Sequence, residues 1–214
     1  MRVKICGLTR LEDVNAALTE GAAALGFVVE SPASPRNLTL PKAKRLMRAT
    51  RVFTTPVAVT STRDPKRLLK ICTQLKPGAL QLHYHTPKLI RLIRKREPST
   101  KLILATPIAG KSSLRSAKAC SHYSDAILAD SPSSTGMGGT GRVTDWGLTV
   151  RVRNLIYPHP LILAGGLTAK NVKAAIENVK PYAVDVSSGV ERSFGIKDHG
   201  KIREFIMNAQ EAML

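Results

Sequence analysis

Leu161-Ile-Leu-Ala-Gly-Gly166 and Ala183-Val-Asp-Val-Ser-Ser-Gly189 are two short, largely apolar runs, each ending on residues with little or no side chain. Runs of this kind suit parallel strands covered by helices on their outer side. At the turns that follow, Gly165-Gly166 and Ser188-Gly189 let the backbone come close to a bound group. A helix start just beyond a turn adds N–H donors, so two such turns on neighbouring strands outline a phosphate site. Between the two runs, Thr168 can cap a helix reaching Val179.

The same alternation extends back through the chain. Candidate strands are Val3–Cys6, Leu25–Val29, Pro56–Thr60, Ala79–His83, Leu102–Thr106 and Ala126–Asp130, followed by Leu161–Ala164 and Ala183–Ser187. Helix starts fall between them. Asp64-Pro65 and Thr86-Pro87 pair a capping side chain with proline at the first helical position. Thr9 with Glu12 has capping-box spacing, and the last helix is predicted from about Asp198 to Met213. Eight βα units of roughly 25 residues predict one closed (β/α)8 TIM barrel, with residues 1–214 as a single domain. The rival, an open doubly wound sheet, fits less well, because the units number eight and the first βα turn lacks GxGxxG. The glycine-rich stretch Ser131–Arg142 is long for a loop in a compact domain and is expected to close over a ligand.

A barrel of this kind carries its chemistry at the C-terminal ends of the strands. Strand 1 ends in Cys6, strand 4 in His83 and strand 6 in Asp130. Strands 6 and 1 are separated by strands 7 and 8, so Cys6 and Asp130 face each other across the mouth, flanking the predicted phosphate turns. A thiolate and a carboxylic acid so placed can act as base and acid on opposite faces of one sugar. A working thiolate requires a pKa below the usual ~8.5. Strand alternation puts Lys4 on the side of Cys6 and Asp185 on the side of Ser187, so Lys4 and Asp185 are expected to interact inside the barrel. Arg36, in the loop after strand 2, is suited to hold a carboxylate in a bidentate pair.

Composition narrows the class. Hydrophobic residues make up 43% of the chain, and no apolar run approaches the ~20 residues that cross a bilayer. The chain enters a strand pattern from Met1, leaving no room for a signal peptide, so a cytoplasmic protein without membrane partners is expected. Cys6, Cys72 and Cys120 form neither a disulfide framework nor a zinc pattern, and Cys72 and Cys120 read as buried apolar residues. The net charge is +18, and between Lys42 and Lys101 sixteen basic residues meet two acidic ones, Asp64 and Glu97. Such a balance favours anionic partners.

In this order, Lys4-Ile-Cys-Gly-Leu-Thr9, Leu25-Gly-Phe-Val28, Ser34-Pro-Arg36, Leu80-Gln-Leu-His83 and Leu128-Ala-Asp130 resemble phosphoribosylanthranilate isomerase of tryptophan biosynthesis. Gly138-Gly-Thr-Gly141 with Asp145-Trp146, Leu163-Ala-Gly-Gly-Leu167 and Val184-Asp-Val-Ser-Ser-Gly-Val-Glu191 extend the match over almost the whole chain. The resemblance implies an Amadori rearrangement of N-(5-phosphoribosyl)anthranilate to 1-(2-carboxyphenylamino)-1-deoxyribulose 5-phosphate, using no metal or organic cofactor. It implies Asp130 as general acid at the ribose ring oxygen and Cys6 as general base at C2′. It further implies Arg36 for the anthranilate carboxylate, Gly165, Gly166, Ser188 and Gly189 for the phosphate, and Asp185 in the substrate-binding set. Gly139 and Gly141 would lie in the loop that encloses the substrate. The chain departs from the family pattern at Glu30-Ser-Pro-Ala-Ser-Pro35, at Tyr84-His85 after His83, and at Arg142.

Two other readings fit parts of the sequence. Another sugar-phosphate barrel, such as the related isomerase of histidine biosynthesis, would carry paired aspartates at strand ends and a half-barrel repeat, whereas strand 1 here ends in Cys6. A nucleic-acid-binding protein would use the charge and the basic amphipathic stretch Leu89–Arg96. Barrel helices expose half their surface, however, and aromatic residues are only 4%, so nucleic acid is not expected as the main partner.

Overall fold

The computed structural model describes residues 1–132 and 143–212. Its elements, in chain order, are β1 (Arg2–Ile5), α1 (Leu11–Thr19), β2 (Ala24–Val28), α2 (Leu40–Met47), β3 (Thr55–Thr60), α3 (Pro65–Leu75), β4 (Ala79–Leu82) and α4 (Pro87–Arg96). They continue with β5 (Lys101–Pro107), α5 (Ser112–Ser121), β6 (Ala126–Asp130), α6 (Trp146–Ile156), β7 (Leu161–Leu163), α7 (Ala169–Val179) and β8 (Ala183–Val186). A 3-10 turn (Ser188–Val190), the small hairpin β9 (Glu191–Ser193) and β10 (Ile196–Lys197), and α8 (His199–Glu211) complete the described chain. Strands β1 to β8 form a closed barrel in sequence order, all neighbours parallel, with β1 pairing back on β8.

Side-chain parity divides the core in two. Outward-facing Ile5, Leu80, Leu82, Ile127 and Val184 pack under the helices. Inward-facing Val28, Val57, Val59, Ile103, Leu128 and Ile162 fill the barrel. The same parity turns Lys4 and Cys6 of the first strand inward, with Gln81 on β4, Asp130 at the end of β6 and Asp185 on β8. The expectation of nearly continuous apolar strands therefore holds for the outer layer and for most of the inner one. The barrel's interior is polar toward its upper end, where Cys6, Gln81, Asp130 and Asp185 line one cleft.

The helix caps follow the sequence closely, with one exception. Asp64, Thr86 and Asp198 accept from the backbone N–H groups of Lys66, Leu89 and Lys201. Thr168 and Asn171 form a reciprocal capping box at α7. Thr9 does not cap α1, whose N-cap is Arg10, without a side-chain cap. Thr9 instead donates its hydroxyl to the Gly195 carbonyl, tying the first loop to the hairpin after β8. The basic stretch Leu89–Arg96 is an outer barrel helix: Leu89, Ile90 and Ile93 are buried, Arg91, Lys95 and Arg96 face solvent, and Arg94 pairs with Asp125 at 2.6 Å. No described helix is long and apolar enough to cross a membrane. Cys72 is buried, as expected, whereas Cys120 is half-buried, with its Sγ 3.9 Å from His85 Nδ1.

Candidate active site

A cleft opens at the C-terminal end of the barrel. Its walls bring together Cys6, Arg36, His83, Asp130, Gly165, Gly166, Asp185, Ser188 and Gly189, which the sequence had singled out, and add Gln81 and Ser187. Gly139 and Gly141 lie outside the described residues.

The turns after β7 and β8 are built on glycine for steric reasons. Gly165 and Gly166 have φ of 84° and 65°, in the left-handed region that other residues enter at a cost. A Cβ at Gly165 would collide with Thr144 Oγ1, itself bonded to the Ala164 carbonyl at 2.7 Å. A Cβ at Gly189 would run into the Leu167 carbonyl, so the two turns are in direct contact. Ser188 and Gly189 open the 3-10 turn, whose first N–H groups have no partner within it. These are the requirements for cradling an anion.

Cys6 sits where the chain leaves β1, its backbone N–H bonded to the Val186 carbonyl at 2.8 Å. The thiol occupies space cleared by Gly26 on β2: a Cβ there would lie 2.7 Å from Cys6 Sγ. Beside it, Lys4 Nζ donates to Asp185 Oδ1 at 2.9 Å, both side chains buried. Burial works against the Lys4 ammonium, but Asp185 and Cys6 outweigh it and push its pKa up to about 12. For Cys6 the balance runs the other way. Burial raises the thiol above its ordinary value, and the nearby Lys4 offsets this only in part, because Asp185 opposes it. The expected Lys4–Asp185 pair is therefore present, but it does not lower the resting pKa of Cys6 below the usual thiol range. Much of the ammonium's field is spent on the carboxylate.

Asp130 is buried at the opposite wall. Burial, followed by the charge of Asp185, raises its pKa to about 6 against the pull of the Ser131 N–H, which donates to Oδ1 at 2.8 Å. His83 is pushed down to about 4 by burial and by Lys4 and His85, so it is neutral at physiological pH. Its Nε2 lies 3.0 Å from Gln81 Nε2.

Arg36 enters from the loop after β2 and is held rigidly. Its Nε and Nη2 donate to the two oxygens of Glu191 at 2.7 and 2.6 Å, the geometry of a bidentate pair. Lys197 Nζ donates to Glu191 Oε1 and to the Ser187 carbonyl, each at 3.0 Å, which joins the arginine to the β8 turn. The Glu191 carboxyl stays ionised because Arg36 and Lys197 outweigh its burial. Gly26, Gln81 and the Glu191–Lys197 pair had no part in the sequence-based site. A glycine inside strand 2 was a readable sign of close approach. Glu191 and Lys197 follow the eighth strand in a short hairpin, and nothing in their spacing marks them.

The full chain was compared with known proteins. The family model for N-(5'-phosphoribosyl)anthranilate (PRA) isomerase matches residues 3–208. The N-(5'-phosphoribosyl)anthranilate isomerase of Methanothrix thermoacetophila is 44% identical over 206 residues, covering 96% of either chain. That of Halorubrum lacusprofundi is 39% identical, covering 99% of this chain and 98% of its own. Among solved structures, phosphoribosyl anthranilate isomerase from Thermotoga maritima superposes with a TM-score of 0.86 at 36% identity, covering 99% of both chains. A phosphoribosyl anthranilate isomerase in complex with reduced 1-(o-carboxyphenylamino)-1-deoxyribulose 5-phosphate gives 0.84 at 35% identity, again over 99% of both. With a barrel of the same architecture, a matching model over nearly its full length and relatives at this identity, the chain belongs to the N-(5'-phosphoribosyl)anthranilate isomerase family.

Proposed function

We propose that Cys6 and Asp130 are the base and acid with which this chain performs its family's reaction, the conversion of N-(5-phosphoribosyl)anthranilate to 1-(2-carboxyphenylamino)-1-deoxyribulose 5-phosphate in tryptophan biosynthesis. The observation that carries the assignment is that both groups line one cleft, on strands separated by the two glycine turns. The substrate's 5′-phosphate then rests on Gly165, Gly166, Ser188 and Gly189, and its carboxylate meets Arg36. Lys4, Arg36 and Lys197 outnumber the carboxylates of Asp185 and Glu191, so the cleft with Asp130 protonated favours a substrate of two anionic groups.

In the first step Asp130 gives its proton to the ring oxygen as the C1′–O4′ bond breaks, and the anilino nitrogen's lone pair forms an iminium at C1′. A carboxyl with a pKa near 6 is suited to this, since it still holds protons near neutral pH and releases them readily. The Cys6 thiolate then takes the proton from C2′, and the electrons of that C–H bond form the C1′–C2′ double bond and quench the iminium. The enolamine loses its 2′-hydroxyl proton and gains one at C1′, giving the ketone. The cationic iminium close to Cys6 favours the thiolate when it is needed, beyond what Lys4 alone supplies.

The test is turnover by wild type, Cys6→Ser and Asp130→Asn, followed by the loss of anthranilate fluorescence. Each replacement is expected to lower kcat about 10²–10⁴-fold, the usual contribution of general acid–base groups. Full activity in both variants would refute the assignment while leaving the barrel untouched.

A further inference from the structure

Among the described side chains that line the cleft, Gln81 is the one with a buried polar atom that lacks a hydrogen-bond partner. It projects inward from β4, is 1% exposed, and lines the cleft with Cys6 and Asp130. One end of its carboxamide is used: Nε2 is 3.0 Å from His83 Nε2. The other end, Oε1, is buried without a hydrogen-bond partner among the described residues. Leaving a buried amide oxygen unmade costs about 1–3 kcal/mol, and a leucine would fill similar volume on an otherwise apolar strand. His83 is neutral, so either orientation of the amide satisfies one end at His83 and leaves the other unpaired, on a side chain that lines the cleft.

The geometry points to Gln81 as a specificity-determining residue that binds the 3′-hydroxyl of the substrate's ribose; this inference rests on the function proposed above. The substrate's charged groups and its reacting atoms already have partners or a part in the reaction. The phosphate lies on the β7 and β8 turns, the carboxylate at Arg36, the ring oxygen at Asp130, and C2′ with its hydroxyl is the reacting centre beside Cys6. The 2′-hydroxyl gives up its proton in the reaction, whereas the 3′-hydroxyl is unchanged throughout and suits a fixed partner, and the unpaired end of the Gln81 amide supplies one in the wall. His83 fixes the amide plane, so the contact is preorganised before binding.

The experiment compares the natural substrate with its 3′-deoxy analogue on wild type, Gln81→Leu and Gln81→Met. Wild type is expected to lose about 10–100-fold in kcat/KM on the deoxy analogue, the cost of an unmade buried hydrogen bond. Both variants are expected to turn over the natural substrate more slowly and to discriminate less than about threefold, since neither offers a partner for the hydroxyl. The ratio is measured within each protein, so a smaller folded fraction in a variant does not affect it. Undiminished discrimination in the variants, or none in wild type, overturns this assignment alone. Failure of wild type to convert the natural substrate overturns both it and the reading on which it rests.

Discussion

Lys4 Nζ and Asp185 Oδ1 meet at 2.9 Å across the seam where β1 closes on β8, and the two residues are direct register partners. The pair thus closes the barrel and sets the field beneath the mouth, with Cys6 one step above Lys4. Lys4→Met is expected to cost about 3–5 kcal/mol, because it leaves a buried carboxylate with no counter-charge. The Lys4 pKa is raised in the folded state, so the pair's contribution is complete below about pH 10.5 and is lost as pH rises through about 12. Urea unfolding of wild type and variant at pH 7 measures the difference. Equal midpoints and slopes would mean that the pair adds nothing to the barrel.

Asp130 makes the opposite contribution near neutrality. Its folded pKa of about 6 lies above the ordinary 3.8, so the protonated group favours the fold in acid, and that advantage is lost as pH rises through 6. Ionising it in the folded protein costs about 3 kcal/mol relative to the unfolded chain. Asp130→Asn keeps the shape and an acceptor for the Ser131 N–H. It is expected to be more stable than wild type by about 1–3 kcal/mol at pH 8, with no gain below pH 4, while losing activity. A variant less stable than wild type at pH 8 would contradict this account of its burial.

The pH profile should show the same pair of groups. The reacting form, thiolate with carboxylic acid, holds one proton between Cys6 and Asp130, as does the more abundant form with thiol and carboxylate. Turnover follows their sum. In free-enzyme terms kcat/KM is expected to rise through about pH 6 and to fall above the ordinary thiol range, since Cys6 is shifted upward. The substrate's phosphate also titrates at about 6, so carbon NMR of Asp130 in the ligand-free protein assigns the lower limb. A profile flat from pH 5 to 10 would exclude both groups.

Much of this arrangement was legible in the sequence because it depends on parity and order. Lys4 and Cys6 differ by two positions, as do Asp185 and Ser187, and once the barrel closes, alternation alone sends them to one interior. Asp130 was visible as the last residue of an apolar run. What escaped depends on contacts between distant segments. The hairpin that supplies Glu191 and Lys197 acquires its meaning only when the loop after β2 lays Arg36 against it, 155 positions away from Glu191. Thr9 had cap spacing but found a better acceptor in the Gly195 carbonyl, far along the chain. The upward shift on Cys6 is hidden for a related reason: a lysine two residues away in one strand is legible, whereas the cost of enclosing the thiol is not.

Gly26 offers a test of how finely Cys6 is placed. A methyl group there would stand 2.7 Å from Cys6 Sγ and 3.0 Å from its Cα, so the thiol must move. Gly26→Ala is expected to fold with a penalty of about 1–3 kcal/mol from overpacking. It is also expected to lose about 10²-fold in kcat, with KM changed much less, because phosphate and carboxylate are held elsewhere. Fluorescence kinetics and thermal unfolding distinguish this from a general loss of structure. Unchanged kcat would show that Cys6 tolerates displacement and is not the base.

Glu191 tests the arginine. Its carboxylate holds Arg36 by two bonds and Lys197 by one, and without it two buried cations face each other. Glu191→Gln keeps the side chain's volume but has a single acceptor oxygen in place of two. The guanidinium is then free to leave the position from which it meets the substrate's carboxylate. KM is expected to rise about tenfold or more, equivalent to about 1.4 kcal/mol of lost binding, with kcat changed less than about threefold. The deciding comparison uses a substrate in which aniline replaces anthranilate. Wild type should bind it weakly, and Glu191→Gln should bind it no worse than wild type does, since neither can use the missing carboxylate. If the variant loses equally on both substrates, Glu191 supports the fold of the mouth and does not position Arg36.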